Sequence, residues 1–314
     1  MQNRTVVGSI VAVAALILGA CGDNASSAPY AGSGGPEPAP STPTDSYGQP
    51  TSEAAGSAAP VVPAGPSVAL ANGAAFSGYM TDASGRALYM FANDVPGSNA
   101  SACSAACLDK WPVFDAKELT AGTGLTASDF SRFQRADGAW QTTFKGHPLY
   151  RFASDAAGSV SGDGVGGRWY VARDYLAFVL AKTDVTPQGA AMSVPFMINR
   201  AGRTVYVFMM DTAGSGATPA TSACVDKCLD AWPVWSAPAN LSAMALPSSM
   251  KASDFGQLDR TVAGAAVKQL TYRGYPLYFH TPDVTPGATS GHMTGAWRAF
   301  DPTAFGAAAV AATK

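Results

Sequence analysis

A ten-residue pattern occurs four times in this chain, and no other feature limits its fold so tightly. Gly85-Arg-Ala-Leu-Tyr89-Met-Phe91-Ala-Asn-Asp94 returns as Gly202-Arg-Thr-Val-Tyr206-Val-Phe208-Met-Met-Asp211. A second form, Gly146-His-Pro-Leu-Tyr150-Arg-Phe152-Ala-Ser-Asp155, returns as Gly274-Tyr-Pro-Leu-Tyr278-Phe-His280-Thr-Pro-Asp283. Between the members of each pair lie other matched landmarks: Cys103, Cys107 and Trp111 against Cys224, Cys228 and Trp232, then Trp169 against Trp297. Offsets of 117 to 128 residues hold throughout. Self-similarity of this kind marks a tandem duplication, and each unit is itself built from two related pieces.

The repeated segments read as β-structure. Residues 76–80 and 86–91 flank the turn Asp82-Ala-Ser-Gly85, and Asn199-Arg-Ala-Gly202 holds the same place in the second half. Residues 141–144 meet 147–152 across Lys145-Gly146, and 269–272 meet 275–279 across Arg273-Gly274. Two-residue loops with Gly second suit type I′ turns. Further short strands are expected at 169–171 and 297–300. The fold class that follows is all-β, mainly antiparallel, with short helical turns and two tandem homologous domains, each closing as a sandwich or small barrel.

Side-chain alternation places Tyr89 with Phe91, Tyr150 with Phe152 and Tyr206 with Phe208 on one sheet face. Asp94 follows Tyr89 by an odd offset of about 16 Å if extended, so the two cannot pair within one straight strand. The same holds for Asp155, Asp211 and Asp283 after Tyr150, Tyr206 and Tyr278. Each Asp opens a turn sequence such as Asp94-Val-Pro-Gly97, where a carboxylate accepts backbone N–H bonds. The expected role is an aromatic core pair followed by a turn-capping Asp. The sharper alternative is a ligand site assembled from Asp residues of different repeats.

The N-terminus reads as an export signal. Arg4 precedes an apolar stretch from Val6 to Leu18, too short to cross a bilayer but suited to a signal peptide. It ends in Leu18-Gly19-Ala20-Cys21, which resembles the bacterial lipobox and implies lipidation of Cys21. Gly22 stands where enterobacterial lipoproteins retained at the inner membrane carry Asp, so the resemblance favours the outer membrane in an organism with two. The following Gly, Ala, Ser, Pro and Thr run to Pro66 has no periodic apolar pattern and is expected to be a disordered tether. The divisions are a signal peptide at 1–20, lipidated Cys and linker at 21–66, repeat units at 67–183 and 194–303 around a linker at 184–193, and a tail at 304–314.

With Cys21 lipidated, four cysteines remain, and outside the cytoplasm an even count favours disulfides. Three pairings are possible, and the duplication favours Cys103–Cys107 and Cys224–Cys228. Residues four apart on a helix sit at about the right Cα distance for a bridge, but their β-carbons diverge, so the turn is expected to be distorted.

The combination of Gly-x-x-Leu-Tyr-x-Phe-x-x-Asp, Cys-x3-Cys-x3-Trp-Pro and a Gly-x-Pro-Leu-Tyr hairpin resembles a bacterial secreted-repeat lipoprotein family with a Tyr-x4-Asp motif. The likeness covers roughly residues 70–300. It implies an exported protein with no established activity attached to the repeat. Departures are His280 where the other three copies have Phe, and Val205 where they have Leu.

Formal net charge is −2, which argues against a nucleic-acid partner, since such binding needs a basic stripe. No nucleophile elbow, metalloprotease helix or phosphate loop appears, so no catalytic residue and no cofactor is expected. The leading expectation is a non-enzymatic, membrane-anchored envelope protein with a binding or structural role and a protein or glycan partner. The alternative is a redox or metal-handling protein, with copper held by His280, His292 and Met293. For His147, core or surface histidine is the expected role.

Overall fold

Short strands hinged by glycine turns dominate the chain because its apolar residues alternate in runs of only three to six. The computed structural model describes residues 65–181, 184–185, 192–193, 195–216 and 218–304. Cys21, the signal peptide, nearly all of the 21–66 linker and the tail beyond 304 lie outside them. In the first half, the strand Leu88–Phe91 runs between Tyr150–Arg151 and Trp169–Val171 in an antiparallel sheet. Tyr89 is the cross-strand partner of Tyr150. The second half repeats this: Tyr206–Phe208 pairs with Trp297–Ala299, and Tyr206 bridges Tyr278. The two members of each motif pair therefore meet at their tyrosines, related by a local two-fold.

A hairpin stands beside each sheet. Phe130–Gln134, Trp140–Phe144 and His147–Pro148 form one, and Phe255–Val262, Ala265–Tyr272 and Tyr275–Pro276 form its counterpart. The tight loops take the expected I′ form, with φ of 47° at Lys145 and 80° at Gly146, then 47° at Arg273 and 84° at Gly274. The only α-helices among the described residues are single turns, Ala106–Lys110 and Cys228–Ala231. Sheets of two and three strands result, and none closes into a barrel among the described residues.

Alternation sorts the core. Leu88 and Met90 face one apolar cluster, while Tyr89 and Phe91 face another with Trp111, Phe152 and Trp169. In the second half Val205 and Val207 point one way, and Tyr206 points the other towards Trp232 and Trp297. The halves share the middle layer, where Leu88 and Met90 join Phe178, Leu180, Phe196, Ile198 and Tyr206 in one core. The strand Ala177–Leu180 pairs antiparallel with Phe196–Asn199, at the place Val68–Asn72 occupies against Ser77–Asp82 in the first half. The end of the first unit thus supplies an edge strand to the second.

Candidate functional site

The four Tyr-x4-Asp motifs form two reciprocal clasps. Tyr150 Oη donates to Asp94 Oδ2 at 2.6 Å, and Tyr89 Oη donates to Asp155 Oδ2. In the second half Tyr278 Oη donates to Asp211 Oδ2 at 2.6 Å, and Tyr206 Oη donates to Asp283 Oδ2. Each tyrosine therefore bonds the aspartate of the other motif, which is how an odd offset along one strand becomes a direct contact. Paired glycines close the outer ends. Gly97 N–H donates to the Gly146 carbonyl at 3.0 Å and Gly158 N–H to Gly85 at 2.9 Å. Gly214 N–H to Gly274 and Gly287 N–H to Gly202 repeat them at 3.0 and 2.8 Å. A Cβ on Gly146 would fall 2.5 Å from the Gly97 nitrogen, so the clasp needs glycine there for space as well as for its positive φ.

The second carboxylate oxygen caps the following loop. Asp94 accepts from Ala102 N–H at 2.6 Å, Asp155 from Ser161 N–H at 3.1 Å, Asp211 from Ala223 N–H at 2.8 Å and Asp283 from Ser290 N–H at 3.0 Å. These N–H donors lie six to twelve residues beyond the Asp, outside the four-residue turn it opens, so the carboxylate ties down the longer loop as well as the opposite tyrosine. Seven of the eight motif side chains are buried, and Asp211 is half-buried. Burial pushes the Asp94 carboxyl up to about 7, against the pull of its bonds to Tyr150 and Ala102. Asp211 is raised for the same reason. All four motif phenols lie well above the usual tyrosine range, through burial first and their aspartates second.

The disulfides Cys103–Cys107 and Cys224–Cys228 lie within their halves, each with a Cα separation of 5.4 Å. The expected distortion sits just ahead of the helical turn, with φ of 48° at Ala105 and 49° at Asp226. Each bridge packs in one cluster with the tryptophan that follows it. That ring begins a stack. Trp111 lies on Trp169 at 3.8 Å between centroids and 3° between planes, with Phe91 and Phe152 on its outer faces. In the second half Trp232 lies on Trp297 at 3.9 Å and 6°, flanked by Phe208 and His280.

His280 therefore fills the place of Phe152 in the ring stack, 4.3 Å from Trp232, with Nδ1 3.0 Å from Ser290 Oγ. His292 Nδ1 accepts from Ala299 N–H at 3.0 Å, the place where Asp163 accepts from Val171 N–H. Its Nε2 is buried without a hydrogen-bond partner, and burial together with Arg298 lowers its pKa. Met293 is exposed, with φ of 64° where the matched Gly164 has 76°. Among the described residues no three His, Cys, Asp or Glu side chains cluster as a metal site. His147 is a core residue packed edge-on against Phe178 at 5.3 Å.

Several site residues escaped sequence reasoning. Arg135 donates to Gln141 Oε1 at 2.7 Å and to the Cys103 carbonyl at 2.7 Å, and Gln141 holds the Leu149 carbonyl. Arg260 and Gln269 make the same set around Cys224 and Leu277. Ser101 and Ser222 hydroxyls bond the Tyr150 and Tyr278 phenols, and Gly162 and Gly291 N–H groups bond those of Tyr89 and Tyr206. The duplication carried the signal: Ser-Ala-Cys precedes both bridges, and Ser-Gly occurs at both 161–162 and 290–291.

A surface cleft of about 480 Å³ draws on both halves, with Arg168, Tyr170 and Val179 on one side and Met250, Tyr272 and Arg273 on the other. No helix among the described residues is long and apolar enough to cross a membrane. Residues 78–115, 131–173 and 195–235 match the family described as a secreted repeat of unknown function. No curated protein and no solved structure is similar enough to match.

Proposed function

Because the chain belongs to the family of secreted repeats of unknown function, we propose that it is a lipid-anchored envelope protein whose clasped repeats form a non-enzymatic binding or structural body. One observation carries this reading: the eight motif side chains are spent on one another, each phenol on a carboxylate and each carboxylate on a loop N–H as well. The motif then holds the fold together, and partner binding falls to what the surface presents. Cys21 is the lipid attachment point, and residues 21–66 are the tether that holds the body off the membrane, on the outer one where the organism has two. Several acyl chains on one residue anchor a protein stably, whereas a single short chain does not.

We assign the partner, protein or glycan, to the cleft that both halves line. Its volume lies in the range of ligand sites, and the exposed guanidinium groups of Arg168 and Arg273 line it. Fractionation of cells carrying Cys21→Ser tests the anchor. The variant should leave the membrane fraction and lose acyl label, and retention of both would end the lipoprotein reading. A photo-crosslinker at position 168 tests the cleft. A discrete adduct that disappears with Arg273→Ala supports binding there, and no adduct in intact cells removes it.

A further inference from the structure

The two tyrosines of each clasp are joined by more than hydrogen bonds. Tyr89 stands 5.4 Å from Trp111, Trp111 lies on Trp169 at 3.8 Å, and Trp169 meets Tyr150 at 5.1 Å. The second half repeats the chain, with Tyr206 to Trp232 at 5.3 Å, Trp232 to Trp297 at 3.9 Å, and Tyr278 to Trp297 at 5.0 Å. Each half thus holds an unbroken Tyr–Trp–Trp–Tyr run of the two most readily oxidised aromatic side chains. At both ends the phenol O–H is aimed at a carboxylate oxygen. His280 has replaced Phe152 beside the stack, yet the four-ring run persists.

That arrangement is the chemistry of a one-electron site. A phenol loses an electron readily only if its proton has somewhere to go at the same time, because the oxidised phenol is a strong acid. A buried tyrosine without an acceptor is protected from this reaction, and here all four have one. The flanking rings are the outermost of the buried stack, Phe91 at 9% and Phe152 at 7% exposure, and Lys110 Nζ sits 5.6 Å above the Phe152 ring.

We propose that each half is a redox-active tyrosine–tryptophan relay that takes up oxidising equivalents from peroxyl radicals. The radical takes one electron from the tryptophan pair, and the resulting peroxyl anion takes a proton from water to become a hydroperoxide. The hole moves to Tyr89, whose O–H bond breaks as its proton passes to Asp155 Oδ2, leaving a neutral phenoxyl radical and a carboxylic acid. A one-electron donor of the thiol or hydroquinone class then returns the electron, and the carboxyl proton returns with it. Tyr206 with Asp283 does the same in the second half.

Flash oxidation of the full chain with photogenerated tris-bipyridine ruthenium(III), a stable stand-in for the oxidant, provides the test. Wild type should show the neutral tyrosyl radical by absorption and electron paramagnetic resonance, forming more slowly in heavy water because a proton moves with the electron. Asp155→Asn/Asp283→Asn removes two acceptors and should slow the phase assigned to Tyr89 and Tyr206 by about a hundredfold, the scale of losing a positioned base. Trp169→Phe/Trp297→Phe keeps both clasps and the apolar packing but breaks the run, and should leave most oxidation off the motif tyrosines. Absence of tyrosyl radical in wild type, or its formation without an isotope effect, would overturn the proposal, and neither reading depends on whether a variant folds. Equal radical yield in a folded Trp169→Phe/Trp297→Phe protein would overturn the relay.

Discussion

Asp94 and His147 are both buried, and they pull stability in opposite directions as pH changes. Burial raises Asp94 to about 7, so between pH 4 and 7 the native state holds a proton that the unfolded chain releases. Stability from this group therefore falls as pH rises through that window, and Asp211 acts with the same sign. His147 is lowered by burial to about 4, so the unfolded chain holds the extra proton between pH 4 and 6.5. Its contribution rises with pH. In His147→Phe only His292, lowered in the same direction, still opposes the carboxylates: the urea midpoint should fall from pH 4.5 to 6.5, more steeply than in wild type. Phe suits the site, since Nδ1 has no partner there and the ring already meets Phe178 edge-on. A midpoint that rises with pH in this variant would mean the motif carboxylates are ionised throughout. Arg135→Ala makes a second residue-scale case. It strands Gln141 Oε1, leaves the Cys103 carbonyl with the Ser101 hydroxyl alone, and should cost about 2–3 kcal/mol in denaturant titration. Lys, with its single point charge, should restore only part of that.

At the scale of the element, the clasp defines which pairs of side chains share energy. A double-mutant cycle on Tyr89→Phe with Asp155→Ala should give a coupling of about 1 kcal/mol, whereas Tyr89→Phe with Asp94→Ala should be additive within about 0.5 kcal/mol. The reverse would mean the tyrosine serves its own motif's aspartate. This is where the sequence stopped being legible. Period-two alternation placed Tyr89 and Phe91 on one face, and Gly at the second loop position gave the I′ turns, but the N–H groups that the aspartates hold lie beyond the turns they open. An odd offset along one strand excluded an internal Tyr–Asp pair, but nothing local says where a second strand will lie. The cross-bond exists only because Tyr89 and Tyr150 become register partners, and register is set by packing across more than sixty residues. Arg135 and Gln141 were hidden for a related reason. A buried guanidinium looks like any surface arginine until its acceptors, the carbonyl of Cys103 among them, have been brought to it.

At the scale of the whole molecule, the duplication marked out two units, and the described residues fold as one compact body. The link is a strand exchange in sequence order: Ala177–Leu180 leaves the first sheet region and pairs with Phe196–Asn199 of the second. No repeat reveals this, because Ala177 to Leu180 resembles Val68 to Asn72 only in being short and apolar. Phe178 and Leu180 are buried in the core that also holds Leu88, Met90 and Tyr206, so their removal opens a void that neither half can close alone. Phe178→Ala should lower global stability by about 3–5 kcal/mol, the scale of a large-to-small change in a well-packed core. Hydrogen exchange decides whether the halves share that loss. Amides of Leu88–Phe91 and of Tyr206–Phe208 should speed up together in the variant, by the same factor, because each sheet rests on the shared layer. If only the Tyr206–Phe208 amides respond, the halves are independent modules that merely touch. The relay proposed for each half would then have to stand on the stability of its own clasp and disulfide.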